Sequence, residues 1–189
     1  MILDAFNYLM LYEVGPHWDP NDPDVIVGAC DTNEQAAKVG FVNDPVDPGG
    51  VTKYGISQRA NPDIDIVGLT MQQAIDIYRE KYFDRALCQY LQSPLEIIHF
   101  DGAVNHGVFR ANMFLQQASA LFSDGSLTLR NVDYINKQTK YDVVITNIAA
   151  IRISFYQRIV QNNPSQGRFL KGWTNRINHV TSYCLARLQ

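Results

Sequence analysis

Apolar residues recur every three or four positions along most of this chain, the spacing of amphipathic helices, and the rhythm gives way between Phe41 and Ser57. Phe6, Leu9, Met10 and Val14 share one face of a first helix over 4–14, which Gly15-Pro16 stops. Residues 16–31 are loop-like, and Asp31 or Thr32 caps a short helix through Lys38. Thr70 and Gln73, at capping-box spacing, open a helix whose stripe is Ala74, Ile77 and Tyr78. Ser93-Pro94-Leu95-Glu96 is a second start signal. The apolar positions from Ile97 to Ala118 then predict one long central helix, with Gly102, Ala103 and Gly107 allowing close approach to its backbone. A short helix over 132–136 and a long one over 142–161 follow. Asn162-Asn163-Pro164-Ser165 breaks the pattern, and a terminal helix over 169–188 puts Phe169, Trp173 and Ile177 into the core.

The interruption has a different character. Phe41-Val42 and Val51-Thr52-Lys53-Tyr54 carry strand-forming residues, and Asp47-Pro48-Gly49-Gly50 between them reads as a tight turn with Gly49 at φ > 0. The prediction is a small hairpin with an Asp and a Thr near its bend, followed by Ser57 as the cap of another helix. The fold class is therefore α+β and predominantly α-helical, a small β-hairpin lobe packed on a helical bundle with a cleft between them, the usual place for a ligand.

Composition changes this picture little. At 189 residues, 46% hydrophobic and 19% charged, the chain is long enough for one domain with a substantial core. A net charge of −3 offers no basic field for nucleic acid and argues against long-range steering onto an anionic wall. No apolar run reaches the length of a membrane span, so stable membrane insertion is not expected. The N-terminus lacks a basic start and a long apolar stretch, which points to synthesis in the cytoplasm without a signal peptide. Cys30, Cys88 and Cys184 are odd in number and far apart, as expected of thiols in a reducing compartment.

Several side chains are candidates for chemistry. Glu13 falls in the last turn of the first helix, where a carboxylate faces the negative end of the helix dipole. That position disfavours its charge, as a general acid requires, and equally describes a surface Glu. Asp47 either handles a reacting group or only starts the turn. Asp101 and Asn105 lie four apart on one helix face with His106 beside them. Arg168, Lys171 and Arg176 mark a solvated helix face that would also meet an anionic ligand. Asp19, Asp22 and Asp24 do not have the spacing of a helix-loop-helix calcium site.

The run Val42-Asn43-Asp44-Pro45 through Asp47-Pro48-Gly49-Gly50-Val51-Thr52-Lys53-Tyr54-Gly55-Ile56 resembles the signature of the phage-type muramidases of glycoside hydrolase family 108. So do Phe100-Asp101-Gly102-Ala103-Val104-Asn105-His106-Gly107, Leu115-Gln116-Gln117-Ala118, Asn163-Pro164-Ser165-Gln166 and Phe169-Leu170-Lys171-Gly172-Trp173 with Asn175-Arg176. The resemblance implies a lysozyme-like fold over 1–189, with a hairpin lobe at 40–57, central helices at 69–122 and a C-terminal helical part at 123–189. It implies an endolysin that cleaves the β-1,4 linkage between N-acetylmuramic acid and N-acetylglucosamine in peptidoglycan, in an inverting arrangement, without cofactor or metal. The expected partners are the glycan strands and a separate membrane-permeabilising protein, a holin, that gives a monomeric enzyme access to the wall. Aligned without gaps from the hairpin, the family's catalytic Glu falls on Lys38, which is no proton donor for this chemistry. Tyr12-Glu13-Val14-Gly15 also resembles the family's Glu-Gly-Gly, so an insertion over 16–39 restores Glu13 as the acid. Glu34 fits neither register. The resemblance then assigns Glu13, Asp47 and Thr52 to catalysis and Tyr54, Asp101, Asn105 and His106 to substrate binding.

Two other readings stay open. Lys38 fits a wall-binding protein that kept the fold and lost the acid. A zinc-dependent amidase or peptidase would draw ligands from His17, His99, His106 and His179, although no compact His-Glu motif or cysteine pair accompanies them.

Overall fold

A computed structural model describes residues 2–44, 49–138 and 140–188, so Asp47 and Pro48 of the expected turn lie outside the described residues. The chain divides into two compact units, residues 6–80 and residues 1–5 with 81–189.

In the first unit, helix α1 (Ile2–Glu13) contributes Phe6, Leu9 and Met10, all fully buried. Phe6 meets the rings of Trp18 and Tyr78 edge-on at 5.8 and 5.7 Å, and Trp18 meets Tyr54 at 6.1 Å. These edge-to-face contacts are the favoured geometry for aromatic quadrupoles. They join α1, the loop after it, the hairpin and α4 (Met71–Tyr78) in one aromatic chain. Between α1 and the hairpin stand two short helices, α2 (Pro23–Val27) and α3 (Asn33–Lys38). Asp22 caps α2, and Thr32 with Gln35 closes a capping box on α3.

The strand pair is smaller than expected and displaced. Strands β1 (Thr52–Lys53) and β2 (Ile56–Ser57) pair antiparallel, Thr52 opposite Ser57 and Lys53 opposite Ile56. The pairing expected between the Val42 and Thr52 flanks survives as a single bridge, with two backbone hydrogen bonds of 2.9 Å. At this bend Gly50 has φ +68°. Ser57 belongs to β2 and caps no helix. Residues 58–69 instead fold around the Gln58 amide, which donates to the carbonyls of Asn61, Pro62 and Ile64.

In the second unit the expected central helix is two helices, α5 (Leu95–His106) and α6 (Val108–Ala118). Gly107 takes φ +81° and ends the first. Residues 95–103 of α5 are all buried, because α6, α8 and α9 pack around it. The Ser93 cap is also absent: Pro94 occupies the N-cap and α5 has no side-chain cap. Thr128 and Asn131 form the capping box of α7 (Leu129–Asn136). Helix α8 (Tyr141–Asn162) packs on α6 and on α9 (Gly167–Leu185). By length and composition α8 could cross a membrane, which the sequence reading overlooked. It carries Arg152 on a face buried against other helices.

Candidate active site

Glu13 is the last residue of α1 and is half-buried. Its carboxyl lies against the tip of the β1–β2 hairpin. A Cβ added to Gly55 would stand 3.0 Å from Glu13 Oε2, 3.2 Å from Glu13 Cβ and 2.8 Å from the Tyr78 hydroxyl. The hairpin turn is Tyr54-Gly55, with φ of +52° and +73°. Positive φ at both central residues is the pattern that matches strand twist in two-residue hairpins, and it suits Gly at the second position.

Tyrosine at positive φ needs outside support. The Tyr54 hydroxyl donates to the Val25 carbonyl at 2.6 Å, and its own carbonyl accepts from the Tyr78 hydroxyl at 3.0 Å. Burial pushes its phenol pKa up. Tyr54 is fully buried, so its expected contact with substrate is corrected to a structural one: it ties the hairpin to α2. Thr52 is half-buried on β1, its hydroxyl 3.4 Å from the Gly50 carbonyl. Lys53 points to the opposite side of the strand, as strand alternation requires, and its ammonium donates to the Val67 carbonyl at 2.6 Å with no exposure. Burial lowers its pKa.

The segment between Glu13 and the hairpin leaves and returns at adjacent points. A Cβ on Gly40 would lie 3.3 Å from Val14 Cγ2 and 3.4 Å from the Glu13 carbonyl. Lys38 is occupied within this segment. Its ammonium is 2.9 Å from Asp22, 3.2 Å from Asp24 and 3.7 Å from Glu34. Hydrogen bonds to Asp22 and Asp24 raise its pKa. Glu34 points outward, its side chain 83% exposed. Asp19 and Asp22 accept from backbone N–H groups two residues on, as turn and cap residues do. Among the described residues no group of three His, Cys, Asp or Glu could hold a metal ion.

Asp101, Asn105 and His106 belong to the second unit, on α5. The Asp101 carboxylate is buried and accepts from Arg152 Nη2 at 2.6 Å and Arg176 Nε at 2.9 Å. Burial alone would raise its pKa; the two guanidinium groups overcome that and hold it below the usual carboxylate range. Exposed Asn105 donates back to the Asp101 carbonyl at 2.7 Å. Arg152 Nε donates to His106 Nε2 at 3.2 Å, and the imidazole sits among Phe114, Phe155 and Tyr156. Burial and the Arg152 charge push its pKa down to about 3. The substrate-binding role expected of Asp101 is therefore corrected: its carboxylate is committed inside a charge cluster tying α5 to α8 and α9, in which Arg152 also bonds the half-buried His106. His99, a zinc candidate, is buried against the Ala86 carbonyl at 3.1 Å, its pKa pushed down by burial to about 4.

Sequence reasoning did not identify Gly55 and Tyr78 as neighbours of Glu13, nor the arginines as partners of Asp101. The only signal for Gly55 was its place in the hairpin signature. Nothing local marks Arg152, which reaches Asp101 across 51 positions of sequence.

A predominantly helical α+β fold with one small strand pair is what the motifs led us to expect. Comparison with known proteins bears on its identity. Residues 36–107 match the family model described as Glycosyl hydrolase 108, and residues 110–178 match that of a Predicted Peptidoglycan domain. Among solved structures, SagA of Brucella abortus matches with a TM-score of 0.62 and 27% identity, over 77% of this chain and 86% of that one. A search of curated proteins gives no match. Fold and matches together define a glycoside hydrolase of lysozyme-like fold that acts on peptidoglycan. The two matches support a lysozyme-like member of the glycosyl hydrolase 108 family. The two matched segments meet near Gly107, where α5 gives way to α6, and Glu13 precedes the first of them.

Proposed function

We propose that the protein is an N-acetylmuramidase that cleaves the β-1,4 linkage between N-acetylmuramic acid and N-acetylglucosamine. The observation that carries this reading is the Glu13 carboxyl against Gly55 at the tip of the hairpin that bears Thr52. A glycosidic oxygen leaves poorly unless protonated, and the sugar develops positive charge as it leaves, so two carboxyl groups share the work. Glu13 delivers the proton. Asp47 steadies the cation and activates a water, which Thr52 helps to position. The adjacency of Gly40 to Val14 supports Glu13 as the acid, because 16–39 then reads as an insertion between acid and hairpin. On this reading the protein is an endolysin, monomeric, made in the host cytoplasm and dependent on a holin for access to the wall.

The test is reducing-end release from purified peptidoglycan, with mass spectrometry of the new end. Wild type should leave N-acetylmuramic acid at that end. Glu13→Gln preserves shape but cannot deliver the proton, so turnover should fall by at least about 10²-fold, while Glu34→Gln stays active. An active Glu13→Gln enzyme refutes the assignment. One observation favours a second reading, an inactive wall-binding protein: the family match begins at residue 36 and leaves Glu13 outside it. Wild type that sediments with peptidoglycan and never releases reducing ends would establish that reading.

A further inference from the structure

Charge is unevenly distributed along the chain. After Asp142 there is no Asp or Glu, while Arg152, Arg158, Arg168, Lys171, Arg176 and Arg187 all fall there, in a protein of net charge −3. The net value therefore conceals a basic C-terminal segment.

Helix α9 adds surface chemistry to this charge. Phe169, Gly172, Trp173 and Arg176 are spaced i, i+3, i+4 and i+7 and so lie along one stripe. Trp173 stacks on Tyr156 of α8 at 4.5 Å and 21°, and Phe169 stacks on Trp173 at 5.7 Å and 29°. Phe169 ends the stack 40% exposed, with the Arg168 guanidinium 4.6 Å from its ring centre. Lys171, three residues on from Arg168, is also exposed. Gly172 sits in mid-helix with nothing within 4 Å of where a Cβ would stand. Glycine weakens a helix relative to alanine, and no neighbour here requires its small size. It leaves open, exposed backbone on this side of the helix.

We propose that this face of α9 is an anchoring surface for the carboxylate-bearing peptidoglycan strand, separate from the residues assigned to catalysis. The pairing is chemical. Sugar C–H groups make van der Waals contact with the exposed part of Phe169, while the carboxylates of the stem peptides meet Arg168 and Lys171. The match of residues 110–178 to a peptidoglycan domain fits this occupant and assigns no residues to it. A local positive field also raises the encounter rate with an anionic polymer despite the negative total. The proposal rests on peptidoglycan being the substrate, but not on Glu13 being the acid.

The experiment uses the full chain in a Glu13→Gln background, so that the polymer is not consumed, and purified sacculi stripped of teichoic acids and protein. Binding is read by co-sedimentation. Arg168→Glu with Lys171→Glu should weaken binding by about tenfold or more and flatten its dependence on salt. Phe169→Ala should weaken it severalfold at every salt concentration. Gly172→Leu puts bulk on this open backbone and should weaken binding while leaving the melting temperature at or above that of the parent. Unchanged binding in the charge-reversal and Gly172→Leu proteins overturns the proposal, as does binding that appears only when teichoic acid is left on the sacculi. Reducing-end release by the parental Glu13 enzyme is scored separately. Salt-sensitive binding without hydrolysis leaves this surface standing and removes the catalytic reading; hydrolysis with unaltered binding in the variants does the reverse.

Discussion

Replacing Asp101 by Asn should cost this protein much of its stability, and the amount follows from where the two arginines sit. Arg176 retains 17% side-chain exposure and has a route to water once its partner is gone. Arg152 has 1% exposure, and its Nη1 is already buried without a hydrogen-bond partner. The loss is therefore dominated by a buried guanidinium left without its counter-charge, a change that typically costs about 3–5 kcal/mol. For a chain of this length that lowers the melting temperature by about 6–20 °C. Urea unfolding followed by circular dichroism at pH 7 measures it. The pH dependence has a definite sign. The folded Asp101 carboxyl has a lowered pKa, so its contribution is complete above the unfolded value of about 3.9 and is lost as pH falls through the folded value. The gap between wild type and Asp101→Asn should close only on acidification below about pH 4. Adding Arg152→Met removes the stranded charge and should recover part of the loss. A single variant within about 1 kcal/mol of wild type at pH 7, or a double variant no more stable than the single, refutes the argument.

Gly55→Ala places a methyl group 3.0 Å from Glu13 Oε2 and 2.8 Å from the Tyr78 hydroxyl at a residue with φ +73°. It should lower turnover by about tenfold or more through a shifted acid, and stability by about 1–2 kcal/mol; wild-type turnover would mean that the contact does not position Glu13. Lys38→Ala should leave peptidoglycan hydrolysis near wild type and speed proteolysis within 16–39, since Lys38 fastens Asp22 and Asp24 there; loss of hydrolysis without unfolding would return Lys38 to the site. Finally, His99 binds a proton less readily folded than unfolded, its pKa pushed down to about 4. Its neutral-state stability should be lost as pH falls from about 6.5 toward 4, by about 3 kcal/mol. A flat urea midpoint across that range, or one that rises on acidification, contradicts it.

Where the sequence was legible, the information was local. The cap at Thr32, offered as Asp31 or Thr32, and the capping box at Thr70 lie within one turn of chain, and the boundaries of α3 and α4 follow from them; the box at Thr128 is equally local but went unread. The apolar spacing that marks α1 and α8 is equally local. The break at Gly107 was misjudged because the apolar periodicity runs through it, and a single backbone angle decides the matter. The strand pair was displaced because Asp-Pro-Gly-Gly is the louder turn signal, whereas Tyr54-Gly55 depends on hydrogen bonds to Val25 and from Tyr78. The same limit applies to side-chain roles. Asp101 shares a helix face with Asn105 and has His106 beside it, but the partners of Asp101 and His106 arrive from α8 and α9, and only tertiary packing reveals those bonds.

The touching ends of the excursion from Gly15 to Gly40 suggest a cassette that could be excised by joining Val14 to Phe41. Its interior argues otherwise. Trp18 fills the space between Phe6 and Tyr54, and the Val25 carbonyl accepts from the Tyr54 hydroxyl. Excision would open a cavity beneath α1 and leave a buried phenol unsatisfied in the turn that touches Glu13. The excursion is therefore masonry beneath α1, and any shortened version of this chain needs compensating changes at Phe6 and Tyr54.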